Sequence, residues 1–270
     1  MTKEDEMSER DSYPAGVPCW VSTLHHDIPA ARAFYEGVFG WETVGPEGVP
    51  DSEATFAVAR VRGRDVAAIG THPVADAPAT WMTEVRTDDL AATVKKVGAA
   101  GGEVIQTEVD LEDLGKLAVF TDPAGAQFCA WEAGAREGAQ LVNEPSAWSM
   151  SALQTDDTER AARFYGEVFG WETEAFGPAT MFRLPGYFGG EDSQPVPRDV
   201  VAVMMPAAPD APPAWGVDFW IDDVERAVDA VRRLGGSVLA GPYDAPPAFS
   251  QAVVADTGGA VLSLSQLKSY

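Results

Sequence analysis

The chain has 270 residues, of which 46% are hydrophobic and 23% charged, a composition typical of globular proteins that excludes disordered and fibrous classes. Asp and Glu total 42 against 19 Lys and Arg, giving a net charge of −23, so we expect neither nucleic acid nor a membrane surface as a partner. The two cysteines lack metal-ligand spacing, and the N-terminus is too polar for a signal peptide, which together predict a cytoplasmic protein with free thiols.

The pattern of the first half of the chain begins with a charged segment, 1–15, that is predicted to be a disordered tail. A strand over 19–24 then precedes a helix that begins at Asp27 and ends at Gly40. Further strands are predicted over 54–59, 65–70 and 81–86. Asp88-Asp89 caps a second helix that stops at Gly101-Gly102. Strands over 103–106, 117–121 and 127–131 follow, and a turn at 122–125 joins the last two.

A ten-residue segment occurs twice in the chain. F-Y-E-G-V-F-G-W-E-T at 34–43 returns at 164–173 with eight positions identical. The Asp-Asp, Gly-Gly and Asp-x-x-Gly signals recur 134 positions later in the same order. The repeat predicts two domains, over 16–133 and 146–270, and the Gly- and Ala-rich stretch 134–145 is expected to be a flexible linker. Each copy has the order strand, helix and three strands, twice.

The motif F-Y-x-x-V-F-G-W-E follows a strand and a helix cap, and a D-P-x-G hairpin turn comes later in the same copy. This combination resembles the vicinal oxygen chelate superfamily of glyoxalases, bleomycin-resistance proteins and extradiol dioxygenases. The resemblance implies an α+β fold of two tandem domains, each made of two βαβββ units that curl into a half-barrel cup holding a ligand. A monomer would suffice for this architecture, and a homodimer is also compatible with it.

Metal-dependent members of that superfamily hold a divalent ion with His, Glu or Gln side chains on the strands that line the cup. Carried over to this chain, the ligand positions fall on Trp20, Met82 and Cys129 in the first copy. In the second copy they fall on Met150, Gly216 and Ser263. None of the six is an imidazole or a carboxylate, so we expect no metal and no cofactor.

Two carboxylates are the candidates for proton transfer. Alternation along 81–85 places Met82 and Glu84 on one face, and the equivalent acid in the second copy is Asp218. Burial between aromatic side chains would raise the pKa of such an acid and suit it to general acid or base catalysis. The alternative is an inward acid satisfied by an arginine, such as Arg86, or by a backbone donor.

Aromatic and apolar side chains are the other signal. Strand parity predicts that the ligand-binding residues of the cups include Trp20, Met82, Cys129, Trp131, Trp148, Met150, Trp220 and Ser263. Most of these side chains are also compatible with ordinary core packing. His25 and His26 end the first strand, where they are either solvated or, for His25, within reach of a ligand from the rim.

Three functions are compatible with this sequence. The first is a metal-independent protein that binds an apolar or aromatic small molecule, such as a natural product or antibiotic, for sequestration or tailoring. The second is a lyase, isomerase or hydrolase of the same fold that uses Glu84 or Asp218. The third is a metal-dependent glyoxalase or dioxygenase.

Overall fold

A computed structural model describes residues 8–46, 54–189, 196–207, 211–245 and 248–268. The predicted tail residues 1–7 lie outside these ranges. The first domain contains eight strands and two α-helices, in the order β1 (Pro18–His25), α1 (Ile28–Phe39), β2 (Glu42–Val44), β3 (Phe56–Val61), β4 (Arg64–Thr71), β5 (Thr80–Thr87), α2 (Leu90–Ala99), β6 (Glu103–Asp110), β7 (Gly115–Thr121) and β8 (Gln127–Ala133).

The second domain repeats this order. Its elements are β9 (Trp148–Gln154), α3 (Thr158–Phe169), β10 (Glu172–Phe176), β11 (Ala179–Arg183), β12 (Val200–Met205), β13 (Ala214–Trp220), α4 (Val224–Arg233), β14 (Ser237–Ala245), β15 (Phe249–Ala255) and β16 (Val261–Leu267). The predicted α+β architecture of two tandem domains, each with two βαβββ units, is confirmed.

Among the described residues, each domain forms one open eight-stranded sheet. The strand order is β2-β3-β4-β1-β5-β8-β7-β6 in the first domain and β10-β11-β12-β9-β13-β16-β15-β14 in the second. The two βαβββ units meet where β1 pairs with β5 and β9 with β13, both antiparallel. The centre of each sheet is therefore built from both units, which brings side chains distant in sequence onto one surface.

The helix ends follow the sequence signals. Asp27 accepts a hydrogen bond from the Ala30 N–H at 2.9 Å, and Gly40 ends α1 in a left-handed conformation with φ of 70°. Asp89 and Asp223, the second residue of each Asp-Asp pair, cap α2 and α4. A carboxylate at this position satisfies amides that have no partner within the helix.

The helices pack between the two domains, α1 against α4 and α2 against α3. Tyr35 of α1 donates a hydrogen bond to Asp256 in the β15–β16 turn, and Tyr165 of α3 donates to Asp122 in the β7–β8 turn at 3.1 Å. The repeated Tyr and the repeated Asp therefore contact each other across the domain boundary. The hydrophobic core is continuous between the domains.

The segment 134–145, expected to be a flexible linker, instead packs closely against the first domain. The Ala139 N–H donates to Cys19 O at 2.8 Å, and Leu141 forms a β-bridge with Glu9. Part of the expected disordered tail is also placed: Tyr13 is buried and donates to Ala139 O at 2.7 Å. Composition could not reveal these contacts, because main-chain carbonyls distant in sequence provide the acceptors.

Candidate functional site

We call the sheet face opposite the helices the cup face. In the first domain, β5 pairs with β1 and β8 so that Glu84 lies beside Trp20 and Cys129. Met82 and Trp131 lie two residues along their strands on the same face. The structure therefore brings the five predicted cup residues of this domain together, and all five are buried.

The space between these side chains is filled by Arg136, which the sequence analysis did not single out. Its guanidinium lies 4.6 Å from the Trp20 ring centre and 3.9 Å from that of Trp131. It donates to Glu84 Oε2 at 2.9 Å, while Ser22 donates to Glu84 Oε1 at 2.9 Å. The arginine that satisfies Glu84 is thus Arg136 from the connecting segment and not Arg86.

The residues at the superfamily's metal-ligand positions do not fit a divalent ion. Burial raises the pKa of the Cys129 thiol well above its usual value, so the thiolate that a metal requires is disfavoured. Trp20, Met82, Met150 and Gly216 offer no oxygen or nitrogen lone pair from a side chain. In the part of the chain that the structure describes, no group of three or more His, Cys, Asp or Glu could hold a metal.

His25 lies on the helix side of β1 and not on the cup face, so the structure does not bring it together with the other predicted cup residues. Strand alternation directs it toward the domain boundary, where its Nε2 lies 3.3 Å from Asp256 Oδ2 and its ring contacts Tyr35 edge to face. Burial lowers the pKa of His25, and the Asp256 carboxylate partly opposes this shift. Its partner Asp256 lies in the other domain, far away in sequence, which explains why local patterns did not place it.

The second cup face has the same register as the first. Asp218 pairs with Met150 and Ser263, just as Glu84 pairs with Trp20 and Cys129. Gly216 lies two residues before Asp218 on this face, and a Cβ there would lie 3.6 Å from Gln154 Nε2 and 3.8 Å from Ala152 O, which are ordinary contact distances. A methyl group would therefore fit at this position without a clash, and glycine leaves that volume open.

Asp218 is held by neutral donors and stays partly exposed. Ser265 donates to Oδ1 at 2.6 Å, Gln251 donates to Oδ1 at 3.3 Å and Ser149 donates to Oδ2 at 2.7 Å. Burial raises the pKa of Asp218 to about 6, and the three hydrogen bonds limit the rise. Ser149 and Gln251 were missed from the sequence because their strands meet Asp218 only in the sheet.

Aromatic side chains lie at one end of this face. Trp220 follows Asp218 on the same face and contacts Phe249, with ring centres 6.1 Å apart. Tyr243, on the neighbouring β14, donates to Gln251 Oε1 at 3.1 Å. The surface therefore combines a carboxyl group, hydroxyls and an amide with partly exposed rings.

Trp148 was predicted to lie on the same face as Met150. It lies on the opposite face, because a strand irregularity shifts the register and pairs Trp148 with Phe219. The irregularity directs Ser149 toward Asp218. Trp148 is buried and lines a cleft of about 50 Å³ between the second domain and the N-terminal segment, together with Ser149, Met150, Val201, Tyr13 and Tyr187.

None of the helices in the described ranges is long and apolar enough to cross a membrane. Two sheets of this topology define the chain as a tandem vicinal oxygen chelate protein, and the comparisons with known proteins agree. The Glyoxalase-like domain family matches twice, over residues 21–131 and 150–265. The chain therefore belongs to the glyoxalase-like family.

Two full-length relatives are similar in sequence. CFP32 of Mycobacterium bovis is 33% identical over 261 residues, covering 96% of this chain and 97% of CFP32. The anthracycline biosynthesis protein DnrV of Streptomyces peucetius is 31% identical over 271 residues, covering 95% of each chain.

Solved structures share the fold at low identity. The Mn(II)-bound glyoxalase from Novosphingobium aromaticivorans has a TM-score of 0.62 at 17% identity, covering 93% of this chain and 82% of the other. The 2,3-dioxygenase LapB from Pseudomonas sp. KL28 has a TM-score of 0.63 at 12% identity, covering 94% of each chain.

Proposed function

We propose that the protein binds an apolar or aromatic small molecule on the cup face of its second domain, without a metal ion. The observation that carries the proposal is the partly exposed Asp218, whose hydrogen-bond donors among the described residues are all neutral, near Gly216, where a Cβ would meet ordinary contacts only. Trp220 and Phe249 supply aromatic surface next to these polar groups. Apolar walls with a few placed polar groups are typical of small-molecule sites.

The first cup is a weaker candidate because Arg136 lies between Trp20 and Trp131. A ligand role for the first-cup residues would require this arginine to move. The relationship to DnrV favours an aromatic polyketide of the anthracycline type as the ligand class. Sequestration and tailoring of such a compound both begin with its binding.

The test is to titrate an anthracycline into the purified protein and follow ligand fluorescence. Gly216→Leu fills the space beside Asp218, and we expect it to weaken binding at least tenfold, since one or two displaced contacts suffice for such a loss. Gly98→Leu is the matched control, because Gly98 lies on an exposed part of α2 with nothing within 4 Å. Equal affinity of Gly216→Leu and the unchanged protein would reject the second cup as the site.

A second candidate function is supported by the acid itself. A carboxyl group with a pKa of about 6 exchanges protons readily near neutrality, as general acid–base catalysis requires. An enzyme of the lyase, isomerase or hydrolase type would then use Asp218, whereas Glu84 is committed to its ion pair with Arg136. Mass spectrometry of the bound compound after incubation separates the two: an Asp218-dependent mass change or rearrangement indicates turnover.

A further inference from the structure

The two cups place a carboxyl group at the same point of the sheet. Glu84 and Asp218 occupy equivalent positions on β5 and β13, and each pairs with an equivalent residue on the two neighbouring strands. What contacts the acid in one cup is therefore informative about what fits the other.

In the first cup the acid binds a cation. The planar Arg136 guanidinium donates to Glu84 at 2.9 Å and lies between two indole rings. The Trp131 Nε1–H donates to Arg136 O at 2.9 Å, which fixes the backbone that carries the guanidinium. A flat, positively charged group between apolar walls and against a carboxylate is thus bound by this fold within the same chain.

In the second cup the described residues around the acid supply hydroxyl and amide donors and no Lys or Arg partner. The position equivalent to Arg136 at the repeat offset is Tyr270, which lies outside the described residues and carries no positive charge at neutral pH. A carboxylate that has given up part of its hydration gains most from a charged donor. The net charge of −23 attracts cations to the protein as a whole.

We propose that the ligand of the second cup carries a basic nitrogen, and that its protonated form pairs with Asp218 as Arg136 pairs with Glu84. This inference rests on the proposed function and narrows its ligand class to aromatic amines or other cationic aromatic compounds. Trp220 and Phe249 would contact the ring system while Asp218 binds the charged group.

The experiment compares two probes that share one ring system: anthracenylmethylamine, which is protonated at neutral pH, and anthracenylmethanol, which is neutral. Both are titrated into the full chain by isothermal calorimetry. We expect the amine to bind about tenfold or more tightly than the alcohol, the scale of a charge-assisted hydrogen bond. Asp218→Asn should abolish this preference, because the amide that replaces the carboxylate carries no negative charge.

Asp229→Asn is the matched control, because it removes the same charge from an exposed site on α4 where Asp229 pairs with Arg232. It should keep the preference for the amine. Equal losses in Asp218→Asn and Asp229→Asn would overturn the inference in favour of general charge attraction. Equal affinity of the two probes would overturn it and leave the proposed function standing, whereas binding of neither probe would reject both. Asp218→Ala provides a second carboxyl-free variant if the Asn variant does not fold.

Discussion

Arg136 is the residue that most changes the interpretation of the first domain. Its guanidinium and the Glu84 carboxylate are both largely buried, with side-chain exposures of 14% and 4%. Removing one member of such a pair leaves the other charge without a partner in a low-dielectric environment. This lowers the free energy of unfolding more than removing both charges does. The pair therefore makes its two members strongly dependent on each other.

We expect Arg136→Met to reduce the free energy of unfolding by about 3–5 kcal/mol, because Glu84 then remains buried without its cation. The double variant with Glu84→Gln should lose clearly less than the single one. Urea denaturation measures both, and Arg233→Met on the exposed end of α4 controls for loss of an arginine. Additive effects of the two substitutions would contradict the coupling.

Asp218 is expected to make the free energy of unfolding depend on pH. Its pKa in the folded chain, about 6, lies above the ordinary 3.8, so the folded state binds the proton more tightly than the unfolded state. The carboxylate therefore opposes folding above pH 6, and this cost disappears as the pH falls toward 4.

Asp218→Asn should accordingly stabilise the protein by about 1–3 kcal/mol at pH 8, with the gain shrinking toward zero near pH 4. The difference between variant and parent in urea denaturation isolates this effect from His25, whose lowered pKa acts in the opposite direction. A gain that stays constant with pH would show that Asp218 titrates normally.

The repeated Phe-Tyr and Gly-Gly segments of the sequence determine how the helices of the two domains pack together. Phe164 of α3 approaches the Gly-Gly that ends α2, where a Cβ on Gly102 would lie 2.8 Å from its ring. In the equivalent place, a Cβ on Gly236 would lie 2.7 Å from the Phe34 ring. These glycines allow the helices of the two domains to pack closely, which accounts for the joint repetition of the Phe-Tyr and Gly-Gly motifs.

Gly102→Ala should reduce stability by about 1–3 kcal/mol, since the added methyl group also meets Thr121 O at 2.8 Å and cannot be accommodated without backbone movement. Gly98→Ala in the exposed part of α2 has nothing within 4 Å and should be neutral or stabilising by up to about 1 kcal/mol. Thermal denaturation of both variants tests the contrast. An equal response at the two positions would refute the close-packing account.

At the scale of the whole molecule, the two domains share one core. Phe39 of the first domain contacts Phe219 of the second, with ring centres 5.0 Å apart. The hydroxyls of Thr83 and Ser151 form a buried hydrogen bond of 2.7 Å between the domains. Unfolding either domain alone would expose these groups on the other. We therefore expect strong coupling between the domains.

Differential scanning calorimetry should show one cooperative transition whose calorimetric and van't Hoff enthalpies agree. Trp41→Ala should lower its midpoint without splitting it, because Trp41 contacts Phe219 and donates to Ser146 O at 2.7 Å, thereby linking both domains. Two resolved transitions in the unchanged protein would contradict the shared core.

The sequence by itself determined the duplication, the order of elements and the helix ends. These follow from local signals: the Phe-Tyr repeat, the Asp residues that begin helices and the glycines that end them. Strand periodicity also placed Glu84 with Met82 and Asp218 with Trp220, because alternation requires no knowledge of distant partners. The two-domain glyoxalase-like fold follows from this information.

Only the tertiary structure decided which groups face these acids and which cup has space. Arg136 reaches Glu84 because the connecting segment folds back over the first sheet, and Ser149 reaches Asp218 because the register shifts at one residue of β9. His25 meets Asp256 only because the domains pack through their helices. Such contacts depend on the docking of distant segments, which local periodicity does not encode.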